Sequence, residues 1–128
     1  LGKLDEAIDD YSKVIVLDPN NADAFNKRAL IHMKRGKYKN TIEDETMAIS
    51  INPNFAAAYH NRGVAYAKID KFDESIADYT KAISLMPDYT DAFFSRGVAY
   101  FRKASLDFKR ACSKGNKFAC DNLKQILE

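Results

Sequence analysis

Apolar side chains recur along this chain every three or four residues, the spacing of one helix face, and strand-like alternation is scarce. The opening LGKLDEAIDDYSKVI is amphipathic, with its acids early, as a helix start favours. The same pattern predicts helices over about 22–35, 38–51, 56–69, 72–85 and 90–103, and again in the final NKFACDNLKQILE. Gly36 and Asp70 fall between paired helices as turn residues. Pro19, Pro53 and Pro87 each follow a helix end, where a missing N–H stops continuation.

The three prolines are 34 residues apart, and the rest of the chain repeats with them. HNRGVAY, His60 to Tyr66, has the look of a reactive site until FSRGVAY, Phe94 to Tyr100, appears one period later. Arginine, glycine, valine, alanine and tyrosine recur; the histidine and asparagine do not. The recurrent part is packing, and the variable part is what could touch a ligand. At the same offset Ala24 falls on Ala58, Ile42 on Ile76, Asp44 on Asp78 and Ala48 on Ala82. A 34-residue period in a helical chain predicts stacked helix hairpins, each burying its apolar face on its neighbours.

Phe25/Tyr59/Phe93, Ala29/Gly63/Gly97, Tyr66/Tyr100, Tyr38/Phe72, Tyr79, Ala48/Ala82 and the prolines resemble the tetratricopeptide repeat (TPR) signature, over residues 1 to about 112. The resemblance implies an all-α, right-handed solenoid of antiparallel hairpins with a C-terminal capping helix. Residues 1–128 then form one array: 1–21 the second helix of a truncated repeat, 22–55 and 56–89 full repeats, 90–114 a shortened repeat and 115–128 the cap. Thr41 and Glu45 stand where alanine and an aromatic are usual, so looser packing is expected of helix 38–51. The first segment is a second helix without its first, which implies a longer array upstream. FRKASLDFKRAC is five residues short of the period, with both halves in register, so a turn absent between Lys103 and Ala104 is expected.

Composition excludes several classes. The net charge is +2, with acids and bases interspersed and no basic arm for nucleic acid. No apolar run is long enough to insert in a membrane. The N-terminal stretch is not a signal peptide. His32 and His60 are the only histidines; no Ser, Cys or Asp completes a triad with either, and HNRG lies in mid-helix rather than at a phosphate-binding helix start. Neither an enzyme nor a cofactor site is expected. His32, at the position of Tyr66 and Tyr100, is read as packing, and His60 as an exposed groove residue. Arg28, Arg62 and Arg96 recur in register, as a ladder for an acidic partner would, but Asp10, Asp44, Asp78 and Asp107 recur with them, which favours structural forks onto carboxylates of neighbouring second helices.

Cys112 and Cys120 have the wrong spacing for zinc. ACSKGNKFAC resembles the AC-x-x-G-x-x-x-x-C element of Sel1-like repeats of secreted bacterial proteins, which implies a bridge between the last hairpin helix and the cap if the protein is exported. In a reducing cytosol both are small core thiols.

By the TPR pattern, first helices line a concave groove. Leu30, Val64 and Val98 form one apolar row; Met33, Ala67 and Phe101 form another. Lys34, Lys68 and Arg102 form a basic row, and Asn26, His60 and Phe94 a mixed one with Asn61 beside it. The expected function is a non-enzymatic scaffold holding a peptide or helix of a partner protein there, with acidic groups meeting the basic row. The alternative is a self-assembling module that forms homo-oligomers through repeat ends or groove. Chaperone-binding TPR domains grip a terminal carboxylate; Asn61 matches that clamp, but Asn26, Leu30, Asp91 and Ser95 replace its lysine, asparagine, lysine and arginine. The resemblance therefore implies no such clamp.

Overall fold

Gly36, Asp70 and Gly115 all take positive φ (71, 61 and 93°), and at each the chain leaves one helix for the next. A computed structural model describes residues 2–128. Its helices are α1 (Gly2–Leu17), α2 (Ala22–Lys34), α3 (Tyr38–Ile51), α4 (Ala56–Lys68), α5 (Phe72–Leu85), α6 (Thr90–Ser113) and α7 (Lys117–Leu127). Asn21 and Asn116 cap α2 and α7 through side-chain oxygens that accept from the N–H groups of Ala24 (3.0 Å) and Ala119 (2.9 Å). Together the helices form an all-α solenoid of antiparallel hairpins.

Each helix packs on its sequence neighbours. Among the described residues, the contacts beyond these join α4 to α2 and to α6. So α2, α4 and α6 make an inner layer, while α1, α3 and α5 form an outer one whose described residues do not pack on each other. The interior is built largely from alanines, including Ala29, Ala48, Ala58, Ala65, Ala82 and Ala92, all without exposed surface. Small residues let the helix backbones approach. Larger side chains then fill two cores: Phe25 with Ala48 and Ala58, and Phe72 with Tyr79 and Ala99.

Three expectations change. First, α6 runs unbroken through Lys103 and Ala104, so no turn is missing there. The five-residue shortfall removed the reversal, and the would-be second helix continues the first as one 24-residue rod. Second, α3 is not loosely packed. Thr41 and Glu45 are fully buried; the Thr41 hydroxyl donates within reach of the Lys37 (3.0 Å) and Ala29 (3.3 Å) carbonyls, and Asn61 Nδ2 donates to Glu45 Oε1 (3.3 Å). Hydrogen bonds replace the usual apolar contacts.

Third, only two of the three arginines find carboxylates among the described residues. Arg28 forks onto Asp44 (2.8 and 2.7 Å) and Arg62 onto Asp78 (both 2.8 Å), each bond charge-assisted and bidentate. Arg96 reaches only the Thr80 hydroxyl (3.2 Å). Its in-register partner, Asp107, lies eleven residues further along the same helix, roughly 16 Å away at 1.5 Å per residue.

Candidate protein-binding groove

The inner layer places the groove residues, because one face of each first helix looks away from its own second helix. Between α4 and α6 lies a cleft of about 160 Å³ lined by Val64, Ala67, Lys68, Phe94, Val98 and Arg102, with Tyr79, Ser95 and Ala99 beneath. Phe94, Val98 and Phe101 are 74, 41 and 56% exposed. Leu30, Met33 and Val64 are half-buried, while Lys34 and Lys68 extend into solvent. Six groove-row residues singled out in the sequence thus surround one cleft, while Leu30, Met33 and Lys34 belong to α2 and Phe101 lies outside the lining.

Arg102 is less free than a basic row suggests. Its guanidinium donates to Asp70 (3.2 Å) and stacks 5.0 Å over Phe72, so it is aimed along the groove edge.

The mixed row lies deeper than expected. Asn26 is only 6% exposed, and it accepts from Asn61 Nδ2 at 3.2 Å. The Asn26 amide atom facing Glu45 lies 2.8 Å from Oε1. A protonated Glu45 makes that contact as donor to oxygen; an ionised one makes it as acceptor from nitrogen. Burial pushes the Glu45 carboxyl up to about 9, against a smaller opposing effect of the Asn61 hydrogen bond. At neutral pH this floor is therefore an uncharged cluster of two amides and a carboxylic acid.

His60 is half-buried rather than open. Its Nε2 is 3.3 Å from the Ser95 hydroxyl, and its ring lies 5.6 Å from that of Tyr79 and 5.1 Å from that of Tyr89. Burial lowers its pKa, which favours the neutral imidazole. It braces α4 against the start of α6. His32 packs in the first hairpin, with Nε2 3.7 Å from Asp44, and its pKa is likewise lowered by burial. Sequence reasoning missed the Glu45–Asn26–Asn61 cluster; its signal was a glutamate at an aromatic position with amides one helix away.

At the far end Cys112 and Cys120 form a disulfide joining α6 to α7, with Cα atoms 4.7 Å apart. No described helix is long and apolar enough to cross a membrane.

A tetratricopeptide repeat family model matches residues 56–89, and a TPR repeat model matches residues 1–36. No curated protein matches the chain. Among solved structures, the first TPR of Spaghetti (RPAP3) bound to an HSP90 peptide, SRMEEVD, is 30% identical with a TM-score of 0.78, over 80% of this chain and 82% of that one. The second TPR domain of human RPAP3, in complex with an HSP70 peptide, is 28% identical (TM-score 0.74; 77% and 82% covered). MamA is 25% identical (TM-score 0.74) over 98% of this chain and 88% of its own. With its period, its hairpins and a 30% identical TPR domain aligned over most of both chains, the chain belongs to the tetratricopeptide repeat family.

Proposed function

We propose that this protein is a non-enzymatic scaffold that holds an extended peptide or helix of a partner protein in the groove of α2, α4 and α6. The observation that carries this reading is the cleft between α4 and α6, where Val64, Phe94 and Val98 stand beside Lys68 and Arg102. Apolar surface of that kind, exposed along one concavity, gains about 25 cal/mol per Å² when a ligand covers it. The cations at its edge select acidic partners and raise the association rate more than the affinity. Peptide binding by the RPAP3 domains supports the mode, since they share the fold over most of their length. The carboxylate clamp does not carry over: Asp91 and Ser95 offer an acid and a hydroxyl where a terminal carboxylate needs cations.

The test is affinity capture of partners with the intact chain, followed by titration of each partner against Phe94→Ala and Lys68→Glu chains. Phe94→Ala should weaken binding about tenfold without unfolding the array. Lys68→Glu should slow association and flatten its salt dependence. Partners that bind both variants unchanged, yet are lost on altering the outer faces of α3 and α5, would overturn the groove reading.

A further inference from the structure

Helix α6 turns one face to the α4–α6 cleft, and that face begins on an acid and ends on a base. At about 100° per residue, Asp91, Phe94, Ser95, Val98 and Arg102 fall on one side of the helix. The last four line the cleft. Asp91, one turn before them, is exposed and has no ion-pair partner among the described residues. Burial lowers the His60 pKa, and the Asp91 carboxylate acts against that shift from across the boundary with α4. The acid therefore stands at the head of the cleft. At the foot are Lys68, exposed and likewise without a carboxylate among the described residues, and Arg102, held along the edge by Asp70 and Phe72.

The same polarity marks the inner layer and is absent from the outer one. Helix α2 opens with Asp23 and closes with Lys34, and α4 closes with Lys68. Helix dipoles favour acids at the start and bases at the end. They act on every helix alike, yet α1, α3 and α5 carry no base in their last turns. The inner cations are thus placed for the groove rather than for helix stability. Asp91 and Arg102 are eleven residues apart, about 16 Å along the axis at 1.5 Å per residue. An extended segment covers that distance in about five residues at 3.3 Å each. The cleft holds about 160 Å³, which admits aliphatic side chains but not the body of a helix, about 10–12 Å across.

We propose that this cleft takes an extended peptide segment of a partner protein with a basic side chain at the Asp91 end, an acidic one at the Lys68 and Arg102 end, and aliphatic side chains between. The two charges stand about four or five residues apart. The inference rests on the groove reading above and adds that the bound segment is bipolar. A segment acidic throughout meets Asp91 as a like charge, and one basic throughout meets Lys68 and Arg102, so each is disfavoured at one end. The aliphatic middle supplies burial, and the ends supply the choice of partner.

The experiment pans a phage-displayed library of random dodecapeptides against the 128-residue chain. Enriched peptides should share a basic and an acidic residue about four or five positions apart, with aliphatic residues between. One of them, synthesised with acetylated and amidated ends, is then titrated by fluorescence anisotropy, with circular dichroism to confirm that each variant folds. Phe94→Ala should bind it at least about tenfold more weakly. Asp91→Lys should do the same, and should recover when the peptide's basic residue is replaced by glutamate, because opposite charges meet again. Peptides that need Phe94 but are acidic throughout, that bind Asp91→Lys unchanged, or that fail to recover on the charge swap would overturn this inference and leave the groove reading in place. A library that yields no peptide dependent on Phe94 would overturn both.

Discussion

Tyr79 rests on Gly63 so closely that the two helices of the second hairpin meet without room for a methyl group: a Cβ at 63 would also stand 3.2 Å from the Ser75 carbonyl. At Gly97, one period on, the same sequence surrounds open space. Gly63→Ala should therefore destabilise the fold by about 1–3 kcal/mol, through overpacking against ring and backbone. Gly97→Ala should be neutral or stabilise by up to about 1 kcal/mol through helix propensity. Urea denaturation of both variants, at a concentration where the chain is monomeric, checks the contrast.

The arginines should divide in the same way. Arg62→Ala leaves Asp78 largely buried without its fork, at a cost of about 3 kcal/mol. Arg96→Ala removes one surface hydrogen bond and should cost under about 0.5 kcal/mol. Equal losses in thermal denaturation would mean that Arg96 has a carboxylate partner within the monomer.

Glu45 gives a pH dependence of definite sign. With its carboxyl pushed up to about 9 by burial, the folded state keeps a proton that the unfolded chain releases near 4.5. The stability tied to that proton is complete below about pH 4.5 and is lost as pH rises towards 9. Glu45→Gln cannot titrate, so the difference in stability between the variant and the unaltered chain should shift steadily in the variant's favour across that window. A difference that is constant with pH would show that Glu45 ionises normally.

Much of the fold was legible because a 34-residue period constrains every position three times over. Pro19, Pro53 and Pro87 fixed the hairpin ends, and Gly36 and Asp70 the turns within them. The error at α6 came from reading register alone. Lys103 and Ala104 are ordinary helix formers, and nothing near them takes positive φ as Gly36 and Asp70 do, so the chain has no means of reversing. In the groove, the rows were legible from spacing but their depth was not. Asn26 and His60 sit low because Glu45 and Tyr79 pull them down, and those partners are long-range.

The disulfide should matter locally. Because each unit in a solenoid leans only on its neighbours, reduction of Cys112–Cys120 should loosen α7 and the end of α6 while leaving α2 to α5 protected. Hydrogen exchange with and without reductant measures this directly, and a uniform rise in exchange along the chain would contradict it.

A peptide ending in the EEVD sequence of the RPAP3 ligands should bind this protein no better than the same peptide amidated at its C-terminus. With Asn26, Leu30, Asp91 and Ser95 in place, the clamp positions hold no cation for the terminal carboxylate to meet. A fall of about tenfold or more on amidation, read by fluorescence anisotropy and equal to about 1.4 kcal/mol, would restore the clamp.

The outer helices α1, α3 and α5 do not touch through their described residues, yet Arg28 holds both Ser12 and Asp44, and Arg62 both Thr46 and Asp78. Mechanically the convex side is a row of separate slats, each pinned to the next through a guanidinium on the inner layer. Bending such an array swings the slats about those pins without breaking a backbone hydrogen bond. Its softest mode is thus a change of curvature, as in a leaf spring, with Arg28 and Arg62 as the hinges.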